Sequence, residues 1–123
     1  MKASRLARMA QETIAATQRE LPPEIRDVAA SVPVRFEARP DSGLLAEGFE
    51  PDILGLFTGH PHGSGHRGDD PSPPRIYLYT ANLWDYADRD EAAFREEARL
   101  TYLHELGHFL GWDEDQLAAR GLD

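Results

Sequence analysis

The sequence predicts an α+β fold: a small three- to four-stranded sheet packed on an N-terminal helix and on a long C-terminal helix. Three observations lead there. An apolar stripe recurs at helical spacing from Leu6 to Leu21. Three short runs of strand-forming residues occupy the middle of the chain, and a second helical stretch runs from Asp88 to Gly111. With 123 residues, the chain reads as one domain, 1–123, with a modest core and no room for a second catalytic domain.

In the first helix, Leu6, Met9, Ala10, Thr13, Ile14, Thr17 and Leu21 share one face while charges occupy the other. Pro22 and Pro23 stop it and start a short helical turn through Val28, because proline is tolerated at the first positions of a helix. Val32–Glu37 alternates and is rich in strand formers. Ile53–Thr58 and Arg75–Thr80 read as two further strands, bounded by Gly and Pro clusters. Tyr77 and Tyr79 alternate with Ile76 and Leu78, which predicts that the two tyrosines face solvent. Between the last two strands, GHPHGSGHRGDDPSPP (59–74) carries no apolar side chain and reads as a mobile surface loop. The final helix is expected to begin near Asp88, since Asp88 and Glu91 have the spacing of a reciprocal capping pair, and to end at Gly111. That is about 22 residues, or about 33 Å. Phe94, Ala98, Tyr102, Leu103, Leu106, Phe109 and Leu110 share its broad apolar side, with Glu97, Thr101, His104 and His108 on a neighbouring one.

Composition narrows the chemistry. The net charge is −9, although residues 1–20 carry Lys2, Arg5, Arg8 and Arg19 against Glu12 and Glu20. Phosphate binding needs a positive field, so nucleic acid is not expected as a partner. The longest apolar run is Ile76–Tyr79, too short to span a membrane, and Gln11, Glu12 and Thr13 interrupt what could have been a secretion signal. The expected location is cytoplasmic. There is no cysteine, which removes disulfides, thiolate metal sites and cysteine nucleophiles together. Any metal must be held by His, Asp or Glu.

Residues 100–115, LTYLHELGHFLGWDED, contain the pattern H-E-x-x-H. Residues four apart on a helix have Cβ atoms about 5–6 Å apart, so the imidazoles of His104 and His108 can converge on one ion, for which zinc is best suited. Glu105 projects about 100° further round, where a carboxylate can take a proton from a water activated by the ion. A straight helix would carry residue 114 about 15 Å along the axis from His104. A left-handed glycine at 111 ends the helix and lets the chain turn back. Glu114, three residues on, can then return to the metal; Asp113 and Asp115 flank it with the same donor chemistry. His60, His62 and His66 could form a second metal tract but read as incidental histidines of a loop.

HELGHFLGWDE resembles the H-E-x-x-H-x-x-G-x-x-acid signature of the small bacterial minimal zincins, the zincin-like metallopeptidase family. The likeness continues through PPEIRDV, ILGLFTG, RIYLYTANL and DEDQLAARGLD. The resemblance implies a small sheet beside the active-site helix and Zn2+ held by His104, His108 and Glu114. Glutamate stands at 114 where aspartate is commoner. Metzincins are similar only in part, since there is no third histidine and no methionine turn. Eight residues follow Asp115, so the cleft is expected to lack the lower wall of larger zincins. In those proteins an edge strand before the active-site helix binds extended peptide, and Arg75–Thr80 is the matching candidate. The expected function is therefore a zinc-dependent metallopeptidase acting on a peptide or protein substrate through a metal-activated water, with Glu105 as general base. The alternative is a non-catalytic zinc-containing binding or regulatory module of the same fold.

Overall fold

The computed structural model describes residues 1–59 and 73–121. Most of the expected 59–74 loop, with its three histidines, lies outside the described residues. The elements in order are α1 (Ala3–Glu20), α2 (Pro23–Ala29), β1 (Val34–Glu37), α3 (Ser42–Ala46), β2 (Gly55–Thr58), β3 (Arg75–Tyr79), α4 (Thr80–Tyr86), α5 (Glu91–Leu110) and α6 (Glu114–Ala119). The three strands form one mixed sheet in the order β1-β3-β2, with β1 parallel and β2 antiparallel to β3. The fold class is α+β.

Alternation in the strands gives the sheet two faces. Ile76 and Leu78 of β3 are fully buried on the inner face. In register beside them stand Val34 and Phe36 of β1 and Gly55 and Phe57 of β2. This face packs on the helices: Leu6, Met9, Ala10 and Ile14 of α1 and Phe94, Ala98, Tyr102, Leu103, Leu106 and Phe109 of α5 complete the core. Each large apolar side chain so buried contributes roughly 1.5–3 kcal/mol of transfer free energy, which sets the rotation of α5 about its own axis. The stripe read from the sequence of α1 is the one that is buried, apart from Thr13, which is half-buried and donates a hydrogen bond to the Met9 carbonyl.

Three expectations are corrected. First, α5 begins at Glu91, not near Asp88. Asp88 and Arg89 take φ of 55° and 59°, left-handed conformations that cannot start a right-handed helix. Asp90 is the N-cap, its side chain accepting from the Ala93 N–H at 2.8 Å. Second, Thr80 is not a strand end but the first residue of α4, which leaves β3 with no intervening loop. The buried Asn82 in that helix donates from its side-chain nitrogen to the carbonyls of Pro51 and Ile53, both at 2.8 Å, and so ties the approach to β2 onto α4. Third, Tyr79 is not solvent-facing. It is fully buried, with its ring stacked on Tyr77 at 6.3 Å between centroids.

Tyr79 has a measurable consequence. Among the described residues its buried hydroxyl has no hydrogen-bond partner. Burial, followed by the nearby Glu37, Tyr77 and Asp41, pushes its pKa up to about 12 from the ordinary 10.0. Because the folded value lies above the unfolded one, the stability associated with the neutral phenol is fully present below pH 10. It is lost as pH rises towards 12. Tyr79→Phe keeps the ring and removes the group that ionises. Thermal melts from pH 8 to 12 should therefore show a shallower alkaline fall for the variant than for the parent chain, with little change near neutrality. Equal slopes would mean that Tyr79 does not resist ionisation.

Candidate metal centre

One helix carries both core and chemistry. The apolar side of α5 is held by α1 and the sheet, and its next side around presents His104, Glu105 and His108, one donor atom from each lying within 4.8 Å of the others. The two imidazole rings are 4.5 Å apart between centroids at an interplanar angle of 63°. Glu105 Oε1 stands 3.2 Å from His108 Nδ1. The three side chains differ in wetness: the Glu105 side chain is 9% exposed, while those of His104 and His108 are 44% and 50% exposed. The carboxylate is thus drier than the imidazoles on either side of it.

The chain turns back at Gly111 as its residue type predicts. Gly111 has φ 74°, and both hydrogen bonds of a Schellman turn are made. The Trp112 N–H donates to the Gly107 carbonyl at 2.8 Å, and the Gly111 N–H donates to the His108 carbonyl at 3.2 Å. Asp113 then opens α6 with a reciprocal capping box: the Asp113 side chain accepts from the Gln116 N–H, and the Gln116 side chain accepts from the Asp113 N–H. The Asp113 side chain is therefore engaged as a helix cap. Glu114, the first residue of α6, lies with Oε1 3.8 Å from His104 Nδ1, and its side chain is 84% exposed. Asp115 lines the same cavity as Glu114.

That cavity, of about 620 Å³, opens beside His104 and Glu105 and is walled by Ile53, Leu54, Leu100 and Leu117. A second, of about 510 Å³, opens on the other side of His104 toward His108 and Trp112. Both are also lined by Glu114 and Leu117. The strand at the cleft is β2, not β3. β3 is central and hydrogen-bonded on both sides, so it has no free edge for a peptide. The expectation that made Arg75–Thr80 an edge strand is therefore corrected, and the residues beside the sheet that line the cavity are Ile53, Leu54 and Gly55, at the approach and start of β2.

Two imidazoles with neighbouring carboxylates, and no thiolate, form a nitrogen and oxygen donor set that zinc accepts and that oxygen-seeking magnesium or calcium does not favour. The residues fit the ion. The family model for zincin-like metallopeptidases matches residues 29–122. The chain belongs to that family. The match takes in the three strands described for this zincin-like protein and both helices of the site, leaving outside it α1 and all of α2 but Ala29. Comparison with curated proteins finds no match.

Two supports of the site were not anticipated. Asn82 holds the lead into β2, and its only trace in the sequence is a polar residue among apolar ones after a strand. The other is Gly55, where β2 meets α5. A Cβ there would lie 2.6 Å from Thr101 Cγ2 and 3.0 Å from the Tyr77 carbonyl oxygen. Gly55→Ala should destabilise the protein by about 1–3 kcal/mol through overpacking. Thr101→Ser removes the obstructing methyl group, so the double variant should recover part of that loss. Urea midpoints of the four proteins test it, and strictly additive losses would show that the Thr101 contact is not the obstacle.

Proposed function

We propose that this protein is a zinc-dependent metallopeptidase in which His104, His108 and Glu114 hold the ion and Glu105 is the general base. The observation that carries the reading is the convergence of His104, Glu105 and His108 on one edge of α5, at the mouth of a cavity and in a chain of this family. A zinc ion so held supplies Lewis acidity toward the scissile carbonyl and the attacking water. The nearly buried carboxylate of Glu105 takes the proton from that water and hands it to the leaving nitrogen. The substrate is a peptide or protein segment in extended form. It lies along β2, a terminal strand of the sheet, where main-chain pairing aligns it and the wall of Ile53, Leu54, Leu100 and Leu117 receives an apolar side chain. Among the described residues no helix is long and apolar enough to cross a membrane.

Metal analysis joined to digestion of a peptide library tests this reading. Zinc with sequence-dependent cleavage is the expected result, whereas zinc without turnover over a broad range of conditions would favour a binding or regulatory module. Glu105→Gln keeps the shape of the side chain and cannot accept the proton. It should retain zinc while hydrolysis falls about 100- to 10,000-fold, and an undiminished rate would remove Glu105 from the mechanism. For the third ligand, zinc affinity in Glu114→Ala should drop severely, while Asp115→Ala should bind nearly as the parent chain does. The reverse order would move the ligand to Asp115.

A further inference from the structure

α6 has six residues, of which only Leu117 is buried, at 5% exposure. Apart from the approach of Glu114 to His104, the other ties of α6 among the described residues are local. The capping box joins Asp113 to Gln116, and the Arg120 guanidinium donates to the Gln116 carbonyl while lying 4.0 Å over the Trp112 ring. These hold the helix to its own turn. They do not hold it to α5. Leu117 does, because it sits where Gly107 has no side chain: a Cβ at 107 would lie 2.8 Å from Leu117 Cδ1 and 3.3 Å from both Cγ and Cδ2. The spacings match on the two helices. His104 and Gly107 are three apart on α5, Glu114 and Leu117 are three apart on α6, and residues at that spacing share a helix face. Seating Leu117 on Gly107 therefore brings Glu114 over His104, where its carboxylate is found at 3.8 Å.

We infer that Leu117, seated in the notch at Gly107, is the positioning residue that sets Glu114 beside His104. The inference rests on the reading of Glu114 as a zinc ligand. It gives Gly107, the second variable position of the H-E-x-x-H pattern, a definite job: any side chain there displaces the helix that carries the third ligand. An 84% exposed carboxylate on a one-and-a-half-turn helix has no other buried anchor among the described residues.

The test is zinc affinity of the full chain by competition with a chromogenic chelator, with far-UV circular dichroism on every variant. Leu117→Ala should weaken zinc by about 10- to 100-fold, the range for residues that orient a ligand. Leu117→Met, which refills the notch, should restore most of it. Gly107→Ala should weaken zinc in the same direction with the Leu117 side chain intact. It serves as the second variant should Leu117→Ala lose helical content. In a Glu114→Ala background Leu117→Ala should have no further effect, since there is no ligand left to position. Parent-like affinity in both Leu117→Ala and Gly107→Ala would overturn the inference. So would a loss of equal size with and without Glu114, which marks a general structural role. The underlying reading fails in a different arm: if Glu114→Ala itself binds zinc like the parent chain, Glu114 is not a ligand, and Leu117 has nothing to position.

Discussion

Phe94, Ala98 and Tyr102 of α5 have no exposed surface, and a helix gripped along that line by α1 and the sheet cannot turn about its axis. Everything at the candidate site inherits its placement from that grip. The angular offset of about 100° between successive residues puts His104, Glu105 and His108 on the edge of the buried stripe. There the two imidazoles reach solvent, while the glutamate between them stays nearly dry. A helix apolar all round would have buried the histidines. A strongly amphipathic one would have exposed Glu105 with them.

The second constraint is distance across the cleft. β2 can lie against α5 because Gly55 has no side chain, and α6 can lie against the far end of the same helix because Gly107 has none. The two glycines act without unusual backbone angles; what matters at each is the atom that is missing. Gly111 differs, since its left-handed φ is what ends α5 and turns the chain back. Three glycines thus bring three segments to one place by two different physical means.

Much of this was legible in the sequence. The stripe of α1, the three strands and the apolar side of α5 follow from periodicity, because in each case one face is buried and the other is not. The stop at Gly111 follows from residue type, and the H-E-x-x-H pattern is itself a statement about helical geometry. The features that were not legible depend on tertiary context. The start of α5 was misplaced because Asp88 and Asp90 offer similar caps, and only the left-handed turn at Asp88 and Arg89 decides between them. The short helices α3, α4 and α6 carry too few turns to show a period, and Leu117 is one of few apolar residues in a mostly polar tail. Strand order was also invisible. Nothing in the residues of β3 says that it pairs on both sides, so the strand richest in β formers was assigned the edge that belongs to β2.

That edge has a property of its own. Exposed strand edges invite copies of a chain to add to one another, and proteins restrain this by keeping such edges short or charged. The terminal strands here, β1 and β2, have four residues each, and β1 carries the exposed Arg35. Four residues extend about 13 Å, and an edge strand turns the N–H and C=O of only every second residue outward. Either terminal strand therefore offers about two outward-facing residues, too few to template a growing stack. The same brevity keeps short the run of unpaired backbone that either terminal strand offers to another chain.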